Sequence, residues 1–350
     1  MQELPKRYTV AQFDAPRVPL TVKSVALRLP SSGEVLLKVL ACGVCHTDEL
    51  IGSGAFRNKF PCIPGHEIIG DIVRVPDDEK TWKVGDRVGA AWFGGSDGTC
   101  QACKKGLNQM CANGEINGCS RDGGYAEYVN VRSDAIAHVP RDVDPAQLAP
   151  LLCAGVTTFS SLKHARIEPG ETVAVQGLGG LGHLAVQYAR KMGYRVIVIS
   201  SSTAKRELAM KLGAHDYVDG SEGDVADQLQ KLGGAACIML TAPNPELIPL
   251  LLKGLNPLGK LLIVAATGPG CLDTTMMISK GLSIVAWPSG NAKDCKAAIE
   301  FAQKHDVSCM VEKFPLSRAN QALEHMSSGK VRFRSVLVPD CPATATRLLP

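Results

Sequence analysis

The clearest hydrophobic pattern in the chain runs from residue 171 to 202, ETVAVQGLGGLGHLAVQYARKMGYRVIVISSS. Thr172 to Gln176 are apolar or β-favouring and short enough for a buried strand. Leu181, Leu184, Ala185, Tyr188, Ala189 and Met192 follow at helical spacing, one apolar stripe suited to packing on a sheet. Gly193 supplies a stop, and Arg195 to Ile199 read as a second strand. TAKRELAMKLGAHDYVDG predicts a helix and a short strand, and GDVADQLQKLG another helix. CIMLTAP, KLLIVAAT and LSIVAWP are further apolar runs, each closed by Gly, Pro or Ser, as buried parallel strands are. Strand alternating with helix predicts an α/β fold with a doubly wound parallel sheet.

The pattern changes on both sides of this region. Toward the N-terminus come short β-like runs and turns: LTVKSVALRL, the turn PSSGE, then EVLLKVLAC with the alternation of a half-buried strand. A strand is expected from Ile68 to Val75, and a glycine-linked one in GGYAEYVNV. From about residue 291, NAKDCKAAIEFAQKH and SRANQALEHMSSGK predict amphipathic helices, and RFRSVLVP a closing strand.

Three glycines, Gly177, Gly179 and Gly182, give G-x-G-x-x-G where the first strand meets its helix. The first allows a tight turn, the second a close approach of a pyrophosphate, and the third close packing of helix on strand. The helix N-terminus offers free N–H groups to the phosphates. The motif alone is weak, but here it sits in a complete strand–turn–helix–strand frame, which predicts a dinucleotide site. The turn as a whole, with Gly180 and Leu181 inside it, is the expected seat. At the end of the second strand an NAD site needs Asp or Glu for the ribose 2′-OH. The chain instead reads Ser200, Ser201, Ser202, Thr203, Ala204, Lys205, Arg206. Hydroxyls and two cations suit a 2′-phosphate, so NADP(H) is expected over NAD(H). The alternative is a solvated, serine-capped helix start with Lys205 and Arg206 merely exposed. Ligands bind beyond the carboxyl ends of such strands, which puts Thr241, Ala266 and Pro288 toward the nicotinamide end.

Composition narrows the class. A length of 350 residues suits two domains, and 45% hydrophobic with 21% charged residues is ordinary for a globular chain. A net charge of +4 without a basic run argues against nucleic acid. MQELPKRYTV has no apolar core of a signal peptide, and no segment reaches the roughly 18 apolar residues of a membrane span. Thirteen cysteines without a secretory signal read as thiols and metal ligands in the cytoplasm.

Several cysteines and histidines stand where a site could form. Cys45, His46, Thr47 and Asp48 follow a strand directly. His66 and Glu67 follow the irregular backbone of Pro61, Pro64 and Gly65, and Cys153 precedes the nucleotide unit. Two cysteines and a histidine so far apart are a weak signal by spacing. Two thiolates and an imidazole would nevertheless leave zinc an open fourth position. Cys100-x-x-Cys103 and Cys111 form a second cluster, and Asp97 stands three residues before Cys100.

GVCHTD, PGHEIIG, Cys153 and GLGGLG, in that order, resemble the zinc-dependent alcohol dehydrogenases of the medium-chain dehydrogenase/reductase superfamily, over nearly the whole chain. The ISSS segment with Lys205 and Arg206 resembles the NADP-dependent, cinnamyl-alcohol-dehydrogenase-like branch. The resemblance implies a Rossmann domain at 154–290 and a mostly β, GroES-like catalytic domain formed by 1–153 and 291–350. It implies Cys45, His66 and Cys153 as ligands of a catalytic zinc, with Glu67 as the acidic neighbour of the metal. Thr47 would take the substrate alcohol's proton, Asp48 would orient a ligand imidazole, and His46 would lie near the cofactor pyrophosphate. Many relatives carry a histidine that ends the proton relay where this chain has Leu50, so the proton would leave through Thr47, the ribose hydroxyls or water.

A structural zinc in the family takes four cysteines. Here Asp97 holds the first place, beside Cys100, Cys103 and Cys111, and a carboxylate can bind zinc. An empty loop and a three-cysteine site closed by water are the alternatives, and Cys119 is the nearest substitute for Asp97. Arg334 matches an arginine on the cofactor phosphates by position alone; a plain surface strand residue is the other reading. Leu50, Phe56, Trp92 and Trp287 are expected to line the substrate pocket, with core packing the alternative for each. The expected enzyme carries two zincs and acts on a small-molecule alcohol, aldehyde or ketone as a homodimer or homotetramer. The rivals are a zinc-free reductase of activated C=C bonds or quinones and a zinc- and nucleotide-binding protein without turnover.

Overall fold

TVAVQ becomes the strand Thr172–Gln176, with Val173, Ala174 and Val175 fully buried, because it lies in the middle of a six-stranded sheet. Its neighbours are just as apolar: RVIVIS makes Arg195–Ser200 and AACIML makes Ala235–Leu240. All pairings in this sheet are parallel. The order across it is Asp216–Asp219, Arg195–Ser200, Thr172–Gln176, Ala235–Leu240, Leu255–Ile263, Ser283–Ala286. The strand order reverses between Thr172–Gln176 and Ala235–Leu240, and the crevice beyond their carboxyl ends is where a dinucleotide binds in such sheets. Gly177 and Thr241 stand there, with Thr241 Oγ1 donating to Gln176 O at 2.6 Å. The helix Gly182–Lys191 buries His183 through Ala189, the stripe expected from its periodicity and the residues between.

The structure, a computed structural model, describes residues 3–56 and 58–340. Two helices of this sheet domain go beyond the hydrophobic pattern. Leu247–Lys253 contains Pro249, and Thr274–Lys280 buries none of its residues. The second is set by its ends: the Asp273 side chain accepts from Met276 N, and Gly281 closes it in the left-handed region. The chain clusters into two units, and this one comprises Ala154–Ser289 and Glu300–Ser308. Residues 300–308, expected with the other domain, cluster here.

The other unit takes residues up to Cys153, Gly290–Ile299 and the chain from Cys309; of the expected 291–350, the last ten residues lie outside the described part. Its organising strand is Glu34–Gly43, which pairs antiparallel with Ile68–Arg74, Tyr128–Arg132 and Arg334–Val338. The alternation expected for it is mostly lost: only Lys38 is exposed, because the strand lies inside a seven-stranded sheet. The sheet runs Val311–Pro315, Arg334–Val338, Glu34–Gly43, Ile68–Arg74, Arg87–Ala90, Ile136–His138, with Tyr128–Arg132 attached to Glu34–Gly43. MVEKFPL, not read as a strand in sequence, supplies Val311–Pro315, parallel to the closing strand. The pairs Val336↔Gly43 and Leu337↔Cys42 bring the C-terminal strand beside the end of Glu34–Gly43. Among the described residues no helix is long and apolar enough to cross a membrane.

The glycine turn permits a paired test. A Cβ on Gly182 would run into the carbonyl of Gly177, with the carbonyl carbon at 2.9 Å, whereas one on Gly179 would meet nothing within 4 Å. Gly182→Ala is expected to cost about 1–3 kcal/mol, as overpacking against fixed backbone does. Gly179→Ala should stay within about 0.5 kcal/mol of the parent. Urea unfolding midpoints of the two variants check this, and equal midpoints would contradict it.

Candidate active site

Strand Glu34–Gly43 hands the chain to a short helix, His46–Gly52, whose N-cap is Cys45. Asp48, three residues into the cap, reaches back to Cys45 N at 2.9 Å and so fixes the cysteine's backbone. The same carboxylate is fully buried. Its Oδ1 accepts from Gly65 N at 3.2 Å and lies 3.3 Å from His66 Nδ1, and its Oδ2 accepts from Tyr125 Oη at 3.0 Å. Gly65 is confined to this place: its φ is +101°, and a Cβ would press on Cys42 Sγ at 2.8 Å and on the Tyr125 ring. Cys153 arrives from elsewhere, at the end of the turn Ala149–Leu152, and its Sγ lies 3.9 Å from Cys45 Sγ.

Ligand atoms of Cys45, His66, Glu67 and Cys153 all fall within 4.8 Å of one another. Asp48 occupies the Nδ1 side of His66, so Nε2 is the nitrogen left for a metal. Arg334, from the closing strand, is buried and donates to the Glu67 carboxylate. The electrostatics are those of a site arranged for a cation. The hydrogen bond shared with Cys153 pulls the Cys45 thiol well down, with His66 adding to it against the cost of burial. The Cys153 thiol is pushed well up by the same sharing and by burial. Burial raises Glu67 to about 7, with Arg334 acting in the opposite sense. Burial alone would lower His66; Asp48 and Cys45 outweigh it and raise the imidazole well above its ordinary value. Thr47 Oγ1 lies 3.5 Å from Cys45 Sγ, beside this cluster.

Asp97, Cys100, Cys103 and Cys111 form the second group of donors within 4.8 Å. Cys100 Sγ is 3.6 Å from Cys103 Sγ and 3.8 Å from Cys111 Sγ. Asp97 is held in place rather than left to find it: Oδ1 accepts from Thr99 N at 2.8 Å and Cys100 N at 3.0 Å, and Oδ2 from Asn113 Nδ2 at 2.7 Å. Backbone N–H groups, those of Cys103 and Ala112 first, draw the Cys100 thiol down to about 7. Cys119 is buried and outside the group.

The remaining expected residues divide between the two units. In the first, Phe56 and Trp92 meet edge to face at 5.6 Å, and Trp92 meets the His66 ring at 5.0 Å, an aromatic wall on the histidine. Leu50 is half-buried. His46 is exposed, with Nδ1 3.4 Å from Glu49. In the second, Trp287 stacks on His164 at 3.6 Å. Ser201 and Ser202 are exposed after the second strand, and Lys205 Nζ donates to Leu178 O in the glycine turn at 3.0 Å. The guanidinium of Arg334, matched in sequence to the cofactor phosphates, engages Glu67 through Nη2. Tyr125 and Asn113 were not singled out in the sequence, since each lies outside the quoted motifs and only the fold brings it to a carboxylate.

Residues 31–141 match a family profile described as the alcohol dehydrogenase GroES-like domain, and residues 180–304 one described as zinc-binding dehydrogenase. Alcohol dehydrogenase patD of Penicillium expansum is 52% identical over 333 residues, which cover 95% of this chain and 98% of that one. A cinnamyl alcohol dehydrogenase structure from Sorghum bicolor superposes with a TM-score of 0.88 at 31% identity, covering 97% of this chain and all of the other. The cinnamyl alcohol dehydrogenase of Helicobacter pylori, in complex with NADP(H), gives 0.85 at 26% identity, covering 95% and 98%.

Tyr125→Phe keeps the ring and removes one donor from the buried Asp48 carboxylate. A hydrogen bond to a charged group contributes about 1.5–3 kcal/mol, and a loss of that size is expected in chemical unfolding. A variant as stable as the parent would show that Tyr125 adds nothing to the clamp.

Proposed function

The chain belongs to the zinc-dependent alcohol dehydrogenases of the medium-chain dehydrogenase/reductase superfamily, and on that premise we propose how its residues divide the work. The reaction interconverts a small-molecule alcohol and its carbonyl compound with zinc and a nicotinamide cofactor. Cys45, His66 and Cys153 hold the catalytic zinc. The observation that carries this reading is the convergence of two sulfurs and one imidazole, with Glu67, within 4.8 Å. That Cys₂His set is the one known for alcohol dehydrogenases, and it leaves one position open. When bound, the metal polarises the substrate oxygen as a Lewis acid, and the nicotinamide exchanges the hydride.

The chain's own residues do the rest. Thr47 takes the alcohol proton, its hydroxyl standing beside Cys45. Asp48 holds His66 in one orientation and tautomer, and Arg334 anchors the Glu67 carboxyl next to the thiols, opposing the rise that burial imposes on it. Leu50, Phe56 and Trp92 exclude water on the zinc side and favour an apolar or aromatic substrate. Asp97, Cys100, Cys103 and Cys111 form a closed structural zinc site, which makes two zincs per chain. A zinc-free reductase of C=C bonds or quinones would have no use for either donor set.

For the cofactor we favour NADP(H), seated on Gly177, Gly179, Gly180, Leu181 and Gly182. The strand Arg195–Ser200 ends without a carboxylate, and Ser201, Ser202, Lys205 and Arg206 follow it. Asp219, paired in register with Ser200, is fully buried and bonded to Ser221, so it is not offered to a ribose. Solved structures of equal likeness hold either cofactor, NADP(H) in the Helicobacter pylori protein and NAD in the acetophenone reductase of Geotrichum candidum, so the choice rests on this chain's own residues. A homodimer or homotetramer in the cytoplasm completes the reading, and none of the twelve described cysteines is in a disulfide, as suits a reducing compartment.

Metal content by mass spectrometry, with NADPH- and NADH-dependent reduction of aliphatic and cinnamaldehyde-like aldehydes, tests these assignments together. Two zincs per chain are expected, one lost in Cys45→Ser with activity abolished. Cys100→Ser should lose the other and retain turnover. NADPH should be preferred. Zinc-free protein that reduces enones would overturn the metal assignment, and an NADH preference would overturn the cofactor assignment.

A further inference from the structure

The segment after strand Arg195–Ser200 is organised by a side chain outside every motif in it. Tyr217 lies in the neighbouring strand Asp216–Asp219, in register with Val198, and is buried. Its hydroxyl donates to the carbonyl of Ser202 at 2.5 Å. Its ring lies under the guanidinium of Arg206, 5.0 Å from centroid to Cζ. One residue therefore fixes the backbone of the serine run and the face of the adjacent cation, while Lys205 is fixed to the glycine turn through Leu178 O. The carboxylate beside Arg206 in sequence does not compete: Glu207 pairs with Lys211 at 2.6 Å.

The chemistry of this arrangement is specific. A guanidinium stacked on an aromatic face keeps its N–H edge available, and that edge is the part that binds phosphate oxygens in pairs. An exposed arginine otherwise loses its rotamer freedom when it binds an anion; one already stacked loses less, and the ligand gains the difference. We infer that Tyr217 is a positioning residue for a phosphomonoester on the 2′ position of the adenosine ribose, acting through Arg206 and the Ser202 backbone. This rests on the NADP(H) reading above. Tyr217 touches no reacting atom, so its effect belongs to cofactor discrimination and not to turnover.

Binding of 2′,5′-ADP and of 5′-AMP to the full-length protein, by isothermal titration, isolates the phosphate contribution. The parent should bind 2′,5′-ADP far more tightly than AMP. In Tyr217→Leu that ratio should fall about tenfold, the combined size of an exposed cation–π contact and a hydrogen bond, with AMP affinity unchanged. Tyr217→Phe keeps the ring and loses the tether, so its ratio should fall by about threefold. It carries the test should the leucine variant not fold. With saturating NADPH, kcat should match the parent in both. An unchanged ratio in the variants, beside a discriminating parent, would overturn the role of Tyr217 and leave the NADP(H) reading intact. Equal losses for AMP and 2′,5′-ADP would reduce Tyr217 to a structural residue. A parent that does not distinguish the two ligands would remove the NADP(H) reading and this inference with it.

Discussion

The buried carboxylate of Asp48 is the constraint on which the metal-binding side of this molecule depends. A carboxylate withdrawn from water is tolerated only when donors replace the water, and Asp48 has the N–H of Cys45, the N–H of Gly65 and the hydroxyl of Tyr125, with the His66 imidazole beside it. Those donors come from three separate stretches of chain. Satisfying one side chain therefore brings the helix cap at Cys45, the proline–glycine bend before His66 and the glycine-linked segment at Tyr125 to a common point. A second buried pair, Arg334 with Glu67, adds the closing strand to the same point. Cys153 then needs only the turn Ala149–Leu152 to reach Cys45.

The two donor clusters show how surroundings set the use of similar residues. In the first, two thiols of opposite tendency, a raised imidazole and a raised carboxyl share a buried space, so a divalent cation would release protons on entering it. With Glu67 as neighbour and not a third sulfur, that set leaves room for an exchangeable ligand. In the second, three thiols and a carboxylate lie in a loop bounded by backbone N–H donors, four protein donors for one cation, the number a closed zinc site takes. Asn113 on Asp97 does there a task like that of Tyr125 on Asp48: it orients a carboxylate that could otherwise rotate.

The parallel sheet was readable in sequence because its central strands are buried on both faces and so appear as uninterrupted apolar runs, each ending in a turn residue; the edge strand Ser283–Ala286, expected to be buried, has no buried residue. The same physics hid Leu247–Lys253, where an apolar run containing a proline does not announce a helix, and Thr274–Lys280, where only the adjacent Met276 and Met277 pack, partly buried, on the core and give no period. Val311–Pro315 was equally silent, being a half-buried edge strand. The site was legible by likeness more than by spacing. Cys45, His66 and Cys153 are too far apart for any local rule, and only the fold puts them together. Tyr125 and Tyr217 gave no signal, since a tyrosine that acts through one hydroxyl looks like any core aromatic. Arg334 was matched by position alone, which did not announce the partner that the closing strand brings it to, Glu67.

The most direct test is zinc retention in Asp48→Asn, a change that keeps the shape of the side chain and removes its charge. With zinc-loaded protein and a chromophoric chelator, the two proposed metals can be followed separately by using Cys100→Ser as the reference for the one at Asp97, Cys100, Cys103 and Cys111. Loss of an outer partner of this kind weakens a metal site by about 10–100-fold, and that loss is expected for the zinc proposed at Cys45, His66 and Cys153, with the one proposed at Asp97, Cys100, Cys103 and Cys111 released as in the parent. Unchanged release from both sites would contradict the view that one buried carboxylate assembles the catalytic cluster.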